Sequence, residues 1–213
     1  MAEEGDRRRE RVGRSRLYVV SDAREDRRDL PDFLDSILRA GCDIVQLREK
    51  TAEAGDLLRW GRVFVEATRR HGALFIVNDR PDVAVALDAD GVHLGQNDLP
   101  PGVARRILGP DAIVGLSCHS PEDHANASPE ADYLTAGPVH ETPTKPGRPG
   151  TGYGLVDHAA STIARPWFVI GGMDASTLPV AVARGATRAV VVRAVTEAAD
   201  PAAAVRTLLA ALS

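Results

Sequence analysis

Residues 74–94 read Leu74-Phe75-Ile76-Val77-Asn78-Asp79-Arg80-Pro81-Asp82-Val83-Ala84-Val85-Ala86-Leu87-Asp88-Ala89-Asp90-Gly91-Val92-His93-Leu94 and contain two β-type runs with a helical pattern between them. The first run, 74–77, is continuously apolar, which is typical of a parallel strand that is covered on both faces. Pro81 suits the first turn of a helix, because its ring fixes φ near the helical value. The stretch therefore predicts two parallel strands joined by a helix.

The same alternation of β-type runs and helical patterns extends over residues 17–213. The β-type runs begin near residues 17, 43, 74, 91, 113, 132, 167 and 189. The helical patterns occupy residues 30–40, 57–71, 81–87, 100–108, 121–128, 155–163, 174–184 and 201–212. Strands that alternate with helices indicate β–α–β units with right-handed crossovers.

Eight β–α units in little over 200 residues predict an α/β fold, a single-domain (β/α)8 TIM barrel with eight parallel strands and outer helices, over residues 17–213. An open, doubly wound sheet is the alternative. Against that alternative, no G-x-G-x-x-G follows the first run, and G-x-x-x-x-G-K-[ST] does not occur in the sequence.

The composition excludes several classes of protein. Of 213 residues, 44% are hydrophobic, and 26 basic against 30 acidic residues give a net charge of −4. A net acidic chain is a poor nucleic-acid binder, and no apolar run approaches the ~18 residues of a membrane span. The two cysteines, Cys42 and Cys118, make no disulfide framework. We expect a cytoplasmic protein that binds neither nucleic acid nor membranes.

Residues 1–16 differ from the rest of the chain, because opposite charges crowd into Asp6-Arg7-Arg8-Arg9-Glu10-Arg11. A short run of mixed charge near a terminus is usually solvated. We therefore predict a disordered, charged N-terminal arm at residues 1–16, ahead of the barrel domain at residues 17–213.

Active sites of such barrels lie at the carboxyl ends of the strands, so the residues that follow each run are candidates. Gln46, Arg48 and Lys50 follow the second run, and their spacing of two points all three to one side of an extended chain. The segments that follow the later runs are Asn78-Asp79-Arg80, Gly95-Gln96-Asn97-Asp98, Ser117-Cys118-His119-Ser120, Gly137 through Lys145, Gly171-Gly172 and Arg193-Ala194.

The charged candidates predict a metal-assisted anion site. Arg48, Lys50 and Lys145 can gather phosphate oxygens. Asp79 and Asp98 can hold Mg²⁺, which usually takes one or two carboxylates together with substrate phosphates.

Gly171-Gly172 indicates a second, simpler anion site. Glycines let backbone N–H groups approach an anion closely, and barrels commonly bind phosphate near the seventh and eighth strands. A diphosphate and a monophosphate would fit this division of charge.

Structural roles compete with these interpretations. Arg48 and Lys50 can serve only as surface partners of neighbouring glutamates. Asp79 and Asp98 can cap the helices that follow them, which is a common role of aspartate. His93 lies within a run and can be a hydrogen-bonded core histidine.

An ordered series of motifs stands at the ends of successive runs. The series is Val45-Gln46-Leu47-Arg48-Glu49-Lys50, Val77-Asn78-Asp79-Arg80, Gly91-Val92-His93-Leu94-Gly95-Gln96-Asn97-Asp98, Gly115-Leu116-Ser117, Gly137-Pro138 through Thr142-Pro143-Thr144-Lys145, and Ile170-Gly171-Gly172-Met173. Each motif alone is weak, but the whole series in this order, within residues 17–195, is specific. It resembles the thiamine-phosphate synthase family.

The resemblance implies a Mg²⁺-dependent transferase of thiamine biosynthesis with the (β/α)8 fold. The family couples 4-amino-2-methyl-5-hydroxymethylpyrimidine diphosphate to 4-methyl-5-(2-phosphoethyl)thiazole and releases thiamine monophosphate and pyrophosphate. The expected partners are these two small molecules, and a homo-oligomer is compatible with the sequence.

The resemblance also implies a role for each matching position. The pyrimidine and its diphosphate would contact Gln46, Arg48, Lys50, Asn78, Ser117 and Lys145, of which Arg48, Lys50 and Lys145 would be the catalytic cations. Mg²⁺ would bind Asp79 and Asp98. The thiazole phosphate would lie near Thr142, Thr144 and the backbone of Gly172.

One position departs from the family, which commonly has a serine after the eighth strand. Here the run is Val191-Val192-Arg193-Ala194. Arg193 can bind the same phosphate bidentately, or it can turn outward and leave the phosphate to backbone groups. We expect contact with the phosphate.

Two other functions remain open at this point. A thiazole tautomerase of related architecture would need the thiazole-phosphate site but not the full diphosphate and metal set. A non-catalytic barrel that binds a phosphorylated ligand would present a similar rim. The presence of Arg48, Lys50, Asp79, Asp98 and Lys145 together favours the synthase.

Overall fold

The computed structural model describes residues 2–141 and 149–213 and shows eight parallel strands closed into a barrel in chain order. The strands are β1 (Leu17–Ser21), β2 (Ile44–Leu47), β3 (Leu74–Asn78), β4 (Gly91–Leu94), β5 (Ile113–Cys118), β6 (Tyr133–Ala136), β7 (Trp167–Val169) and β8 (Ala189–Val191). Closure is made by β1, where Tyr18 lies opposite Ile44 of β2 and Leu17 lies opposite Ala189 of β8. The predicted (β/α)8 barrel is confirmed, and the open sheet is excluded.

Ten helices lie within the described residues. They are α1 (Ala2–Arg14), α2 (Leu30–Arg39), α3 (Ala54–His71), α4 (Pro81–Leu87), α5 (Pro101–Leu108), α6 (Pro121–Ala125), α7 (Gly154–Thr162), α8 (Leu178–Val182), α9 (Arg193–Thr196) and α10 (Pro201–Ala211). Eight of them correspond to the predicted helical patterns, whereas α1 and α9 are additional. Over residues 2–141 and 149–213, no helix has the length and apolar character needed to cross a membrane.

The strands bury side chains on both faces of the barrel wall. Tyr18, Tyr133 and Phe168 belong to a buried cluster inside the barrel, where the rings of Tyr18 and Phe168 meet edge to face at 5.7 Å. The alternate residues, such as Val19 and Leu134, pack outward against the helices. Because successive side chains of a strand point to opposite faces and both faces are buried, the runs are apolar throughout rather than alternating.

Aspartates anchor the amino ends of the strands. Asp90, just before β4, accepts the N–H of Phe75 in β3 at 2.8 Å, and Asp132, just before β6, accepts the N–H of Val114 in β5 at 2.7 Å. Asp43 does the same for β1 from its position just before β2. Each carboxylate satisfies a backbone donor on the neighbouring strand, so the amino end of the barrel carries a set of buried or half-buried negative charges.

The prediction of a disordered arm at residues 1–16 is wrong, because α1 packs against this amino end. Val12 is 1% exposed and belongs to the cluster inside the barrel. Arg8 Nε lies 3.2 Å from Asp90 Oδ1, and Arg9 Nε donates to Asp132 Oδ1 at 2.8 Å. The arginines thus meet carboxylates that are remote in sequence, a pairing that a local count of charges does not reveal.

We expect Asp132→Asn to lower the free energy of unfolding by about 2 kcal/mol, because the change leaves Arg9 and Arg105 without their shared, largely buried carboxylate. Urea unfolding at pH 7 measures the effect. Glu130→Gln is the matched control, since it removes a carboxylate 3.3 Å from the same Arg105 but at a side chain that is 48% exposed. The control should lose less than about 0.5 kcal/mol, and equal losses in the two variants would contradict the role assigned to Asp132.

Candidate active site

Gln46, Arg48 and Lys50 follow one another at the carboxyl end of β2 with increasing exposure. Gln46 is buried, and its Nε2 donates to the hydroxyl of Tyr18 inside the barrel. Arg48 is half-buried, and its backbone N–H donates to Ser21 O at 2.9 Å, which extends the pairing of β1 with β2. Lys50 is exposed. The three residues therefore lead from the barrel interior to its rim.

Asp79 follows β3 in the left-handed region of backbone conformation, with φ of 61°. Few residues other than glycine adopt this region, although aspartate tolerates it, and such positions cluster at functional sites. Its N–H donates to the carbonyl of His93 in β4 at 2.9 Å. Its Oδ2 lies 3.6 Å from Lys50 Nζ, so an ion pair joins the ends of β2 and β3.

The carboxyl groups of Asp79 and Asp98 lie close enough to interact, since Asp98 is among the groups that raise the pKa of Asp79. Burial and then the neighbouring Asp98 raise the pKa of Asp79, while Lys50 and the Asn78 side chain act in the opposite direction. Asp98 is held in place by Gly95, whose N–H donates to Asp98 Oδ2 at 2.7 Å. Negative charge is therefore concentrated where β3 and β4 end.

Neither aspartate caps the helix that follows it. The residue before α4 is Arg80 and the residue before α5 is Pro100, and neither makes a side-chain capping bond. The alternative interpretation of Asp79 and Asp98 as simple caps is wrong, because their carboxyl groups meet each other instead.

Arg48 is also more than a solvated surface residue. Burial lowers the pKa of its guanidinium, and the nearby Asp79 and Glu49 carboxylates oppose that shift. A half-buried cation beside a carboxylate pair is a combination typical of functional sites.

A cavity of about 330 Å³ opens at the carboxyl ends of β5 to β8. It brings together three predicted site residues, Ser117, Gly172 and Arg193, and its wall is otherwise largely apolar, with Ile170 and Val192 among the lining residues. The side chain of Arg193 is exposed at the start of α9. The cavity therefore offers an apolar wall for a ring and polar groups for an anion.

The glycine segment after β7 requires glycine at both positions. Gly171 and Gly172 have φ of 99° and 69°, and a Cβ on Gly171 would lie 2.4 Å from Pro138 Cα.

Thr177 Oγ1 donates to Gly172 O at 2.7 Å, and Asp174 accepts from the Thr177 N–H at 2.9 Å. Contacts with Ser176 and Thr177 lower the pKa of Asp174 to about 2, and this turn replaces the start of the predicted helix at 174–184.

Three predicted site residues, Thr142, Thr144 and Lys145, lie outside the described residues. The described residues on either side of them are paired: the N–H of Thr151 donates to Pro138 O at 2.7 Å, and the N–H of Gly152 donates to Val139 O at 2.9 Å. Val139 N–H in turn donates to Ile170 O at 2.9 Å. The described residues that flank positions 142–148 are therefore fixed beside the cavity, against Pro138 and Ile170.

Several residues inside the barrel were not among the predicted site residues. Tyr18 and Tyr133 are buried below the rim and bond to Gln46 and to His93, so His93 is the hydrogen-bonded core histidine of the alternative interpretation. Thr135 lines the cavity, and its Oγ1 is buried without a hydrogen-bond partner in the described part of the chain. The sequence contained one signal for these residues: successive side chains of a strand point to opposite faces, and these positions face the inside of the barrel.

We expect Asp98→Asn to stabilise the protein at pH 7 in the presence of a chelator. The folded-state pKa of Asp79 lies above its unfolded value. As the pH rises from the unfolded-state pKa to the folded-state pKa, Asp79 loses its proton, and its ionisation beside Asp98 increasingly destabilises the fold. Asparagine removes the like charge but keeps an oxygen that can accept from Gly95. Thermal unfolding followed from pH 7 down to the ordinary aspartate pKa of 3.8 should show a gain in the midpoint that is full at neutral pH and shrinks toward acid.

The matched control for this prediction is Asp88→Asn, at an exposed aspartate that, like Asp79, has a positive φ, 51°, and whose carboxylate pairs only with the exposed Arg69 among the described residues. Its effect on the midpoint should be small and should not follow the titration of a buried carboxyl group. A lower midpoint for Asp98→Asn than for the wild type at pH 7 would show that Asp79 and Asp98 do not repel each other.

Residues 17–195 match the family described as thiamine monophosphate synthase. The thiamine-phosphate synthase of Acidothermus cellulolyticus is 51% identical over 202 residues, which cover 93% of this chain and 95% of that protein. The thiamine-phosphate synthase of Mycobacterium tuberculosis is 47% identical over 215 residues, covering 95% and 97%.

Solved structures agree with these relatives. Thiamine phosphate pyrophosphorylase from Pyrococcus furiosus superposes with a TM-score of 0.84 at 31% identity, covering 96% of each chain. A 3-hexulose-6-phosphate synthase, with a TM-score of 0.66 at 21% identity over 93% of this chain and all of that one, shares the fold. The motif resemblance is confirmed, and with it the prediction of a transferase of thiamine biosynthesis. The chain belongs to the thiamine monophosphate synthase family.

Proposed function

We propose that this protein condenses 4-amino-2-methyl-5-hydroxymethylpyrimidine diphosphate with 4-methyl-5-(2-phosphoethyl)thiazole, giving thiamine monophosphate and pyrophosphate. The observation that supports this function is the meeting of Arg48, Lys50, Asp79 and Asp98 at the carboxyl end of the barrel. His93 links this group to the cavity, because its carbonyl accepts from Asp79 and its ring bonds to Ser117.

Asp79 and Asp98 fit the Mg²⁺ that this function implies. The two carboxyl groups lie close enough to interact, and the pKa of Asp79 is raised by burial and by its neighbour, so a cation would relieve their repulsion. In the described residues no three His, Cys, Asp or Glu side chains are grouped to hold a metal. A site with two carboxylates suits Mg²⁺, which keeps water and substrate phosphate oxygens as its other ligands. When bound, Mg²⁺ would offset negative charge on the diphosphate.

Arg48 and Lys50 would stabilise the charge that grows on the leaving diphosphate. The proposed step breaks the C–O bond between the exocyclic carbon of the pyrimidine and the diphosphate, whose oxygen keeps the electron pair. The aminopyrimidine ring delocalises the positive charge left behind, and the thiazole nitrogen forms the new C–N bond. Cations placed before the reaction are effective because they need no reorganisation during it. Lys145 stays a predicted third cation.

No side-chain nucleophile is needed for such a displacement. Cys118, which follows the Ser117 position, packs among the outward-facing core residues, and burial raises the pKa of its thiol to about 12. It would not supply a thiolate at neutral pH.

The remaining predicted residues would position the two substrates. We assign Gln46, Asn78 and Ser117 to the pyrimidine diphosphate. Gly172 and Arg193 line the same cavity and would bind the phosphate of the thiazole, Arg193 in place of the serine that is common in the family. Thr142 and Thr144 stay predicted contacts of that phosphate. A cytoplasmic location and a homo-oligomer also remain part of the proposal.

The test of the proposed function is a reaction of the purified protein with both substrates and Mg²⁺, followed by mass spectrometry. Thiamine monophosphate and pyrophosphate should appear in equal amounts, and a chelator should stop their formation. Rearrangement of a thiazole phosphate alone would indicate a tautomerase. Substrate binding without a product would indicate a non-catalytic barrel, and either result would refute the synthase.

We expect Arg48→Ala to lower kcat/KM by about 10²–10³, the usual effect of removing one electrostatic partner of a transition state. Arg80→Ala is the matched control, because Arg80 is also an arginine after a strand end, but it pairs with Asp82 at 2.6 Å and is 40% exposed. The control should retain kcat/KM within about threefold, since exposed ion pairs contribute little. Circular dichroism verifies that both variants fold, and a folded Arg48→Ala with wild-type kinetics would contradict the assigned role.

A further inference from the structure

A chain of buried hydrogen bonds crosses the inside of the barrel and ends at Ser117. Gln46 Nε2 donates to the hydroxyl of Tyr18, which lies 3.1 Å from the hydroxyl of Tyr133. The Tyr133 hydroxyl lies 3.0 Å from His93 Nδ1, and His93 Nε2 lies 2.9 Å from Ser117 Oγ. The chain thus connects two predicted substrate contacts, Gln46 and Ser117, through three residues outside the predicted set.

Close packing around the central link holds this arrangement in place. The rings of His93 and Tyr133 are stacked with centroids 5.5 Å apart. Gly115 lies against both rings, and a Cβ there would be 2.4 Å from the Tyr133 hydroxyl and 2.6 Å from His93 Nδ1. Gly115 therefore makes the room that the Tyr133–His93 bond needs.

Both phenols keep their protons. Tyr18 and Tyr133 are at most 1% exposed, and burial raises the pKa of each hydroxyl well above its ordinary value. Each tyrosine therefore has one proton to donate and can also accept a hydrogen bond.

The amide of Gln46 sets the direction of the whole chain. An amide nitrogen only donates, so Tyr18 accepts from Gln46, and among its partners in the described residues the acceptor for its own proton is the Tyr133 hydroxyl. Tyr133 then gives its proton to His93 Nδ1. A neutral imidazole that accepts at Nδ1 carries its proton on Nε2 and donates it to Ser117 Oγ.

We propose that Tyr133 and His93 are positioning residues that make Ser117 a hydrogen-bond donor toward the cavity. Because Ser117 Oγ accepts from His93, the serine proton is directed away from His93 and is available to an anionic oxygen. This inference rests on the proposed function, in which that oxygen belongs to the pyrimidine diphosphate. In the opposite direction the serine proton would point to His93, and Ser117 would present only lone pairs to the anion.

The tautomer of His93 tests the direction without any activity measurement. In ¹⁵N-labelled full-length protein, two-bond ¹H–¹⁵N spectra should show the His93 ring protonated at Nε2 and unprotonated at Nδ1. A His93→Gln variant assigns the signals among the six histidines of the chain. A ring protonated at Nδ1, either as the neutral Nδ1–H tautomer or as the imidazolium with both nitrogens protonated, would overturn the proposal.

Tyr133→Phe tests whether the chain acts through Ser117. The change removes the donor to His93 Nδ1, so both tautomers should appear, and kcat/KM with the pyrimidine diphosphate varied should fall about tenfold. Tyr153→Phe is the spectroscopic control, because this tyrosine bonds to His140 and should leave the His93 signals unchanged. Tyr18→Phe, which breaks the chain one link earlier, replaces Tyr133→Phe if that variant does not fold.

A double-mutant cycle with Ser117→Ala distinguishes positioning from general loss of structure. Once the serine hydroxyl is gone, Tyr133→Phe should cause no further fall in kcat/KM. Additive losses would show that Tyr133 does not act through Ser117 and would refute the proposal. If the wild type makes no thiamine monophosphate, the proposed function fails, and the His93 spectrum still decides the direction of the chain.

Discussion

The closure of eight parallel strands into one ring is the constraint on which the other features depend. Pairing of Leu17 with Ala189 brings the last strand back to the first, so all eight carboxyl ends meet on one side. Residues that are far apart in the chain, such as Lys50 and Arg193, then belong to the same end of the molecule. A site that binds two phosphorylated molecules can be assembled from single residues because each strand delivers one or two of them.

The aspartates at the two ends of the barrel have different partners. At the amino end, Asp132 accepts the N–H of Val114 and is paired with Arg9 of α1 and with Arg105, so its charge has partners that stabilise the fold. Asp90 also accepts a strand N–H, but burial raises its pKa and the arginines of α1 oppose that shift. At the carboxyl end, Asp79 and Asp98 face each other, and the pKa of Asp79 is raised. That arrangement destabilises the protein at neutral pH, which is the usual trade between stability and function at an active site.

The interior of the barrel contains both packed aromatic rings and a line of buried hydrogen bonds. Tyr18, Tyr133 and Phe168 fill the space with aromatic rings, while the hydroxyls of the two tyrosines continue a line of hydrogen bonds from Gln46 to His93. Because the line is enclosed, its hydrogen bonds polarise one another, and the direction of one bond favours the direction of the next. The core thus orients polar groups at the floor of the site as well as supporting the strands.

The sequence by itself determined the strands, most helices, the barrel and the family, because these depend on local runs and on motifs at strand ends. It also named Arg48, Lys50, Asp79 and Asp98, since the end of a barrel strand is a position that can be read without coordinates. Only the tertiary structure showed that α1 pairs with distant aspartates, that Asp79 and Asp98 meet rather than cap helices, and that a polar chain lies inside the barrel. The physical reason is that these features are contacts between side chains remote in sequence, and local patterns hold no information about which remote groups come within a few ångströms of each other.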